Sequence, residues 1–455
     1  MKDLQNPPMR FQRRWITAPV VLLVLFAPVQ AAPADNMAYL DNGIIKIGVD
    51  LDRGGAIGFL ADVNKGGSVV NVHDLGRWIG QSYYSGPKPY GTAHPRWKNW
   101  PWNPVSAGDV NGNSSKLIEK TNDGKTLYIK SVPMQWALKN VPGDCEFETW
   151  ITLEGRTVHV RNRLTNKRKD RTQYRAMDQE LPFVYTIGKL HRLITYNGDA
   201  PFTGAPLKEV PKVPAKGDKA QWTTFFATEH WAALVDDDDW GLGVIHPDVV
   251  RFVGGFYGKP NTGGPHDDSN GYVAAVRQEI LDHNIVYEYR YTLVLDTLAQ
   301  IRKEAYKQRP KSALPDYNFA TDRQHWWFQN AADTGYPIRR HLRLKVEKDD
   351  PQMYGPEGFW EAKDVPKIYI RAAYRTQNMT AELFWETTEQ PGFPPDQSVR
   401  FTVKPDGKVR TYEVELSHSP TYRGKIRRLR FDPVETGVAG DAVDVESISA
   451  KTNSP

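Results

Sequence analysis

The sequence predicts an all-β protein in which a large antiparallel sandwich precedes a smaller β-sandwich. From about residue 38, most segments alternate apolar with polar residues, which is typical of half-buried antiparallel strands. Only 297-TLAQIRKEAYKQ-308 has its apolar residues on one helical face. Connections rich in Gly, Pro and Asn, at 85–115, 197–220 and 254–272, are long enough to be functional loops over one face of the sandwich.

Seven segments of the first domain keep the two-residue period of a strand. Each places its apolar residues on one face and its polar residues on the other, so each can pair in a sheet that is buried on one side. The segments are 44-IIKIGVDL-51, 126-TLYIKSV-132, 145-CEFETWITL-153, 156-RTVHVRNRL-164, 231-WAALVD-236, 241-GLGVI-245 and 286-VYEYRYTLVL-295.

A second all-β domain is predicted after the helix. The helix and the segment 309-RPKSALPDYN-318 mark the boundary, and the remaining length of about 140 residues is ordinary for a domain. We therefore predict a first domain over 35–310 and a second over 311–455. The predicted strands of the second domain are 339-RRHLRLKVE-347, 366-KIYIRAAY-374, 380-TAELFWET-387, 398-SVRFTVK-404, 409-VRTYEVEL-416 and 426-IRRLRFDP-433.

Residues 1–34 have the pattern of a secretory signal peptide. Three arginines precede the apolar run 16-ITAPVVLLVLFAP-28, and the small residues of 29-VQAAPA-34 follow it. The apolar run is shorter than the ~20 residues that cross a membrane, which favours a cleaved signal over a retained anchor. The sequence thus predicts a secreted or periplasmic protein with no stable membrane anchor after cleavage.

The composition excludes several classes of protein. The 455 residues carry a net charge of +5 without a basic stripe or nucleic-acid motif, so we expect no nucleic-acid partner. Serine-hydrolase, zinc-protease, P-loop and dinucleotide fingerprints are absent from the sequence. Cys145 is the only cysteine, so no intrachain disulfide can form. The 14 Trp, 21 Tyr and 17 Phe fit a ligand-binding surface, although large β-sandwiches are also rich in aromatics.

Two parts of the chain resemble known domains. The segment 41-DNGIIKIGVDLDRGGAIGFLADV-63 resembles the opening of galactose-mutarotase-like supersandwiches, which bind sugars on a concave face. The C-terminal part resembles the galactose-binding-like jelly rolls attached to secreted glycan-active proteins. The residues that carry this second resemblance are 325-HWWFQN-330, 349-DDPQMY-354, 381-AELFWETT-388, 405-PDGKVRTYEVEL-416, 426-IRRLRFDPVE-435 and 443-VDVESI-448.

Together, these resemblances imply an exported carbohydrate-active protein whose partner is a polysaccharide or oligosaccharide. Cleavage of a glycosidic bond uses two carboxyl groups, one protonated and one ionised. The first candidates are Asp178 and Glu180, which lie two residues apart on an apparent strand and so share a face. Leu-Pro follows Glu180 and is expected to end or distort the strand, which favours a position at the rim. An ion pair with Arg175 or Arg161 is the structural alternative.

A further candidate carboxyl is Glu229, at the start of a strand that is otherwise apolar. His246 ends the strand that returns after the acidic turn 236-DDDD-239, so Glu229 and His246 are predicted to lie near each other on one rim. The predicted catalytic pair is Glu180 and Glu229, with Asp178 in support. Structural hydrogen bonds are the alternative for Glu229 and His246, and the acidic turn is read as a solvated hairpin rather than a calcium site.

Two loops, together with His246, supply the predicted substrate-binding residues. In 254–272, Tyr257 and His266 are candidates, and the adjacent Asp267 and Asp268 cap turns or, as the alternative, ligate a metal with His266. We expect no cofactor.

The stretch 74–104 carries aromatics that follow no core period, so its rings are predicted to stack on a sugar while polar groups bind the hydroxyls. Aromatics that only pin the loop onto the sheet are the alternative. Its candidates are Arg77, Gln81, Tyr83, Tyr84, His94, Trp97, Trp100 and Trp102.

Three functions remain open from the sequence. A glycoside hydrolase is favoured. A polysaccharide lyase would instead use a Tyr or His base, drawn from Tyr83, Tyr84, His94 or His266, with Arg77 to neutralise the uronate. A glycan-binding protein without catalysis would use both sandwiches only to bind.

Overall fold

The computed structural model describes residues 36–91, 94–214, 222–310 and 314–452. In these ranges the chain forms 31 strands and a single α-helix, α1 (Leu298–Lys307), so the all-β prediction is confirmed. The predicted signal peptide lies outside the described residues. Among the described residues, no helix combines the length and the apolar character that crossing a bilayer requires.

The first domain is built from two large antiparallel sheets. One has ten strands, numbered here in chain order: β1 (Met37–Asp41), β2 (Ile45–Asp50), β3 (Ala56–Asp62), β4 (Ile79–Ser82), β5 (Pro104–Val105), β8 (Met134–Gln135), β11 (Met177–Ile187), β14 (Thr223–Phe226), β17 (Arg251–Tyr257) and β18 (Asn270–Glu279). The other has nine: β6 (Lys116–Asn122), β7 (Thr126–Val132), β9 (Cys145–Glu154), β10 (Thr157–Asn166), β12 (Arg192–Thr195), β13 (Lys208–Glu209), β15 (Trp231–Val235), β16 (Trp240–Ile245) and β19 (Val286–Thr297).

The hydrophobic core of this domain lies between the two sheets. Ile79 and Val184 from the ten-stranded sheet meet Phe147 and Leu293 from the nine-stranded sheet in one cluster of buried side chains. The helix α1 covers the outer face of the nine-stranded sheet, where Ile301 is fully buried. The outer face of the ten-stranded sheet is therefore the face of the sandwich that α1 leaves uncovered.

Strand β11 lies in the interior of the ten-stranded sheet, between β4 and β18. Its register shifts between Glu180 and Phe183, so Leu181 and Pro182 form a bulge and the strand then continues to Ile187. The predicted distortion after Glu180 is present, but the predicted rim position is wrong because both neighbouring strands pair with β11 here. Glu180 lies opposite Ser82 on β4 and Val276 on β18.

The second domain packs two six-stranded antiparallel sheets face to face. The first contains β20 (Asp316–Asn318), β22 (Ala331–Ala332), β23 (Leu342–Val346), β26 (Lys367–Arg375), β29 (Arg410–Glu415) and β31 (Ala442–Ser449). The second, here called the inner-facing sheet, contains β21 (Trp327–Gln329), β24 (Gln352–Tyr354), β25 (Trp360–Glu361), β27 (Thr380–Thr387), β28 (Ser398–Thr402) and β30 (Lys425–Asp432). The predicted strands of this domain are confirmed, with bounds that differ by a few residues.

Buried charges join the two domains. The guanidinium of Arg323 donates to Asp282 of the first domain at 2.6 Å and to Asp333 at 2.7 Å. His325 Nδ1 lies 2.7 Å from the carboxylate of Glu279, which ends β18. Because the paired carboxylates and Arg323 are shielded from water, these contacts hold the domains in a defined arrangement.

One predicted loop is partly wrong. The connection proposed for 254–272 begins inside β17 and ends inside β18, so only its middle is a loop. Its glycines had suggested a break, yet Gly254 and Gly255 pair with Val273 and Tyr272 in the sheet. Gly254 has no room for a side chain, since an added Cβ would lie 2.5 Å from the backbone oxygen of Tyr272.

Candidate functional site

A cavity of about 980 Å³ lies between the outer face of the ten-stranded sheet and the second domain. Asp178, Glu180 and Gln278 line it from the first domain, and Trp327 and Lys348 line it from the second. This volume is at the upper end of the range for ligand pockets. The cavity is large enough for a ligand that extends from one domain to the other.

Glu180 is the carboxyl at the centre of the site. It is half-buried, and the hydroxyls of Tyr272 and Tyr84 both donate to it, the latter at 3.1 Å. Burial raises the pKa of Glu180 above its ordinary value, although hydrogen bonds from Tyr272, Ser82 and Tyr84 act in the opposite direction. A carboxyl in this setting holds its proton to higher pH than a solvated glutamate does.

Tyr84 is fixed by a neighbouring glutamine. Gln179, beside Glu180 on β11, points to the other face of the sheet and is fully buried. Its amide accepts from the backbone N–H of Tyr84 at 2.7 Å and donates to the backbone oxygen of Tyr84 at 2.7 Å. The Tyr84 hydroxyl is thereby held against Glu180 even though it comes from a loop segment.

A row of three aromatic rings crosses the sheet beside Glu180. Tyr272 lies between Tyr185 and Trp222, with ring centroids 4.7 and 4.9 Å away. Tyr185 and Tyr272 are opposite each other on β11 and β18, and so they project from the same face of the sheet. Tyr185 and Trp222 are half-buried, which leaves part of each ring open to a ligand.

Asp178 is the second carboxyl of the cavity. It is half exposed and forms a two-pronged ion pair with Arg251, with one of the two contacts at 3.1 Å. The Arg251 guanidinium also lies 3.2 Å from Glu357 of the second domain. Arg251 therefore fixes the Asp178 carboxylate and links the site to the second domain. The predicted ion pair with Arg175 or Arg161 is not formed.

Three of the predicted binding residues point into the sandwich. Tyr83 and Trp102 are fully buried, and Trp102 donates its indole N–H to Asp144 at 2.8 Å. Gln81 is also buried and donates to the backbone oxygen of Glu148 and the hydroxyl of Thr149 across the core. These contacts correspond to the alternative in which residues of 74–104 hold the loop onto the sheet.

Of the other predicted residues of 74–104, Tyr84 lines the cavity, and the rest lie around the site rather than in it. Trp100 packs edge-on against Tyr84 with centroids 5.9 Å apart, and Trp97 packs on Trp100 at 4.7 Å. His94 caps a short turn by accepting from the backbone N–H of Arg96 at 3.2 Å. Arg77 binds Asp74 and Asp268 beyond Tyr185.

The predicted histidines are likewise away from the cavity. His246 is buried between the sheets, where its ring stacks on Tyr289 at 6.0 Å and burial lowers its pKa well below the ordinary value. The backbone oxygen of His266 binds His73 Nδ1 at 2.8 Å. Tyr257 is half-buried at the end of β17, on the same face as Val253, which lines the cavity.

Glu229 does not join Glu180. Its side chain is completely shielded and receives hydrogen bonds from Arg302 at 2.8 Å, Tyr306 at 2.7 Å and Trp231 at 3.1 Å. These partners place it beneath α1, on the far side of the nine-stranded sheet. Packed sheets lie about 10 Å apart, so the distance between the Glu180 and Glu229 carboxyls is greater than the 6.5 to 9.5 Å that separates two carboxyls on either side of one glycosidic bond.

Glu229→Gln is therefore expected to act on stability. Loss of the carboxylate leaves Arg302 with a neutral partner, and we expect the free energy of unfolding to fall by about 2–3 kcal/mol. Denaturant unfolding measures this, with Glu209→Gln as a control whose exposed pair with Lys212 contributes at most about 1 kcal/mol. An equally stable Glu229→Gln chain that had lost turnover would instead return Glu229 to the catalytic site.

The acidic segments have structural partners. Asp236 accepts from the backbone N–H groups of Asp238 at 3.0 Å and Trp240 at 2.9 Å, which closes the hairpin turn. Asp267 accepts from the backbone N–H of Gly264 at 2.6 Å. Over the part of the chain that the structure describes, no group of three or more His, Cys, Asp or Glu side chains is placed to hold a metal ion.

Sequence reasoning missed several residues of the site. Tyr272, Tyr185, Trp222 and Arg251 come from segments that had been assigned other roles or none. The signal was present in the two-residue period: Tyr272, Ala274, Val276 and Gln278 alternate along one face of β18. The period could not show that this face of β18 lies beside Glu180.

Comparison with protein-family models and with curated proteins finds no match. Several solved structures are similar to part of the chain. A galactose mutarotase-like protein from Lactobacillus casei ATCC 334 is 12% identical, with a TM-score of 0.37, over 57% of this chain and 100% of that one. A galactose mutarotase-like protein from Clostridium acetobutylicum is 8% identical, with a TM-score of 0.36, over 57% and 95%. The 4-alpha-glucanotransferase from Thermococcus litoralis is 11% identical, with a TM-score of 0.32, over 58% and 37%.

Proposed function

We propose that the protein is a glycoside hydrolase that cleaves a polysaccharide or oligosaccharide in the cavity between its domains. One observation carries the proposal: Glu180 and Asp178 line the same cavity from one strand, in environments that differ in kind. Burial raises the pKa of Glu180, whereas Arg251 neutralises the charge of Asp178. Carboxyl pairs in contrasting environments are the arrangement that supplies an acid and a base together.

Glu180 is the general acid in this mechanism. It retains its proton until the glycosidic oxygen accepts it, and the Tyr272 and Tyr84 hydroxyls then donate to the carboxylate that forms. Both tyrosines have pKa values raised well above the ordinary value by burial, so they remain neutral donors. They orient the carboxyl before the reaction and stabilise its charge afterwards.

Asp178 is the second carboxylate, which activates a water molecule. Residues two apart on an extended strand have Cα atoms about 6.6–6.8 Å apart, which leaves space for a water between the acid and the base. Carboxyl groups that admit a water between them lie about 6.5–9.5 Å apart, and catalysis by such a pair inverts the configuration at the anomeric carbon. We therefore expect the first product released to have the anomeric configuration opposite to that of the substrate.

Tyr185 and Trp222, which flank the buried Tyr272, are proposed to bind the sugar rings. A pyranose has an apolar C–H face and a rim of hydroxyls, which suits aromatic side chains with polar neighbours. Gln278 and Thr224 line the cavity nearby and can bind hydroxyls.

The lyase alternative has less support. It needs a Tyr or His base of low pKa beside a cation, but Tyr83 is buried inside the sandwich and burial raises the pKa of Tyr84. His94 and His266 do not line the cavity. Arg77, its proposed partner for a uronate, is bound to Asp74 and Asp268.

We also propose that the protein is exported, with residues 1–34 removed as a signal peptide. The motivation is the order of basic, apolar and small residues in that segment. Sequencing the N-terminus of the protein recovered from an exported fraction tests this. A chain that stays in the cytoplasm with Met1 retained would contradict the export proposal without affecting the hydrolase proposal.

The hydrolase proposal is tested by incubating the purified protein with a panel of neutral and acidic polysaccharides. Reducing ends and ultraviolet absorbance near 235 nm are followed together, since a lyase leaves an unsaturated product that absorbs there. We expect new reducing ends without absorbance. Reducing ends with absorbance would favour the lyase, and binding without either signal would favour a glycan-binding protein.

Tyr272→Phe is expected to change the pH dependence of turnover. The Tyr272 hydroxyl lowers the pKa of Glu180, so its removal raises that pKa further. Because the acid must be protonated, activity falls as pH rises through this pKa, and the alkaline limb of the profile moves to higher pH. Tyr185→Phe, which alters the adjacent ring without removing a donor to Glu180, is the control. An alkaline limb that stays in place in Tyr272→Phe would mean that Glu180 is not the acid.

A further inference from the structure

We propose that the inner-facing sheet carries a second glycan-binding subsite on the face that points away from the core of the second domain. This subsite holds sugar units of the polysaccharide that is cleaved in the cavity. This surface, here called the platform, comprises Trp327, Tyr354, Phe393, Arg428 and Arg430. The proposal rests on the proposed function for the identity of the ligand as a glycan. It adds that the ligand is a chain of several pyranose units and that the second domain binds part of it directly.

The platform is built around two stacked rings. Trp327 and Tyr354 are paired across strands β21 and β24, and their rings lie nearly parallel, with centroids 4.2 Å apart and planes 9° apart. Trp327 also lines the cavity. The Tyr354 ring supports one face of Trp327, so Trp327 is held as a rigid element of the cavity wall.

Arginines extend the aromatic surface across the sheet. Arg430 is paired with Tyr354 and lies over that ring at 5.8 Å and over Phe384 at 4.6 Å. Arg428 lies over Phe393 at 5.1 Å. The Arg428 and Arg430 side chains are only 16% and 14% exposed, so they act as a charged support behind the rings, and the exposed parts of the rings are what a sugar can contact.

Buried carboxylates fix the two arginines of the platform. Arg428 lies 3.2 Å from Glu386, and Arg430 Nε donates to Asp432 at 2.8 Å. Burial raises the pKa of Asp432 to about 6, although its pairing with Arg430 opposes this. With the arginines fixed in this way, the half-buried rings of Trp327, Tyr354 and Phe393 are the part of the platform that can pack on the apolar face of a pyranose.

A chain of charges joins the platform to the catalytic residues. Asp178 is paired with Arg251, Arg251 lies 3.2 Å from Glu357, and Glu357 lies 3.7 Å from Arg428. The platform therefore meets the cavity at two points, which are Trp327 and this series of ion pairs. A ligand that contacts both must be longer than one sugar unit, because the platform extends beyond the residues that line the cavity.

The test measures binding separately from turnover. Polysaccharide affinity is measured by titration calorimetry in the full chain carrying Glu180→Gln, with Trp327→Ala, Tyr354→Ala or Phe393→Ala added. We expect Trp327→Ala and Tyr354→Ala to weaken affinity at least about tenfold, as loss of a central aromatic contact does. Tyr354→Phe keeps the ring stack and should bind the polysaccharide as tightly as the parent chain does. If Tyr354 mattered only through its hydroxyl, Tyr354→Phe would instead lose as much affinity as Tyr354→Ala.

Tyr369→Ala is the matched control, because Tyr369 is a half-buried aromatic on the opposite sheet of the same domain. Its affinity for the polysaccharide should equal that of the parent chain. Unfolding midpoints identify any variant that fails to fold. Phe393 lies in a surface loop, so Phe393→Ala still tests the subsite if the Trp327 or Tyr354 variant does not fold. Equal affinities in the Trp327, Tyr354 and Phe393 variants would overturn the proposal, as would no binding by the parent chain to any glycan of the panel.

Chain length provides a second readout. In the chain with Glu180 intact, Trp327→Ala should raise KM for long substrates more than for the shortest substrate that is cleaved. A uniform increase for all lengths would contradict a subsite beyond the point of cleavage. If the Trp327 and Tyr354 variants bind more weakly but the protein never releases reducing ends, the platform proposal is supported and the hydrolase proposal is refuted. The two failures are therefore distinguishable.

Discussion

Glu180→Gln is expected to lower kcat on a natural polysaccharide by about 10²–10⁴-fold while leaving affinity for the chain nearly unchanged. The substitution keeps the size of the side chain and its contacts with Tyr84 and Tyr272, but it removes the proton that the leaving oxygen must receive. Steady-state kinetics and binding by the same variant measure the two effects. Glu154→Gln, at an exposed turn of the nine-stranded sheet, is the carboxyl control.

An activated aryl glycoside separates the acid from the second carboxylate. A leaving group of low pKa departs without protonation, so Glu180→Gln should lose much less activity on such a substrate than on a polysaccharide. Asp178→Asn should lose activity on both, because attack by water is required in each case. If Glu180→Gln kept more than about a tenth of wild-type kcat on the polysaccharide, the acid would lie elsewhere.

Glu279→Gln is expected to produce the largest loss of stability. Glu279 is buried at the contact between the domains, where Arg277 donates at 2.7 Å, Tyr287 donates at 2.9 Å and His325 lies at 2.7 Å. Removing one partner of a buried ion pair leaves the other charge uncompensated, which costs about 3–5 kcal/mol. Denaturant unfolding measures this loss. Glu288→Gln, whose carboxylate pairs with Arg163 at the surface, should change stability by no more than about 1 kcal/mol.

The effect of Glu279→Gln should depend on pH in a defined direction. Burial alone would raise the pKa of Glu279, but His325 and Arg277 outweigh it and lower the pKa from 4.5 to about 2. A folded-state pKa below the unfolded value stabilises the protein above about pH 4.5, and this contribution is lost as pH falls towards 2. The stability difference between wild type and variant should therefore shrink across that window. A difference below about 1 kcal/mol at neutral pH would show that the interface does not depend on this charge.

The strands themselves were predictable from local pattern. Alternation placed 126–132 and 380–387 at the bounds that β7 and β27 have, and helical spacing identified α1 to within a residue at each end. These segments could be predicted because the period of a strand or a helix is visible within a few residues. The same period correctly put Asp178 and Glu180 on one face of one strand.

The identity of that face was not accessible from the sequence. Period two divides a strand into two faces, but it does not say which of them meets the other sheet and which meets solvent. Tyr83 and Tyr84 are adjacent in sequence and chemically identical, yet one is enclosed in the core and the other binds Glu180. Aromatic residues serve a core and a sugar site equally well, so composition could not separate them.

The sequence by itself determined the class of fold, the order of its elements and the shared face of Asp178 and Glu180, because these follow from short-range periodicity. Only the tertiary structure decided which carboxyls line the same cavity. It buried Glu229 against Arg302 beneath α1. It also brought Tyr272 to Glu180, Arg251 to Asp178 and Trp327 to the cavity from strands far apart in the chain. Contacts of this kind arise from strand pairing and domain packing, which depend on the whole chain and leave no mark in the spacing of neighbouring residues.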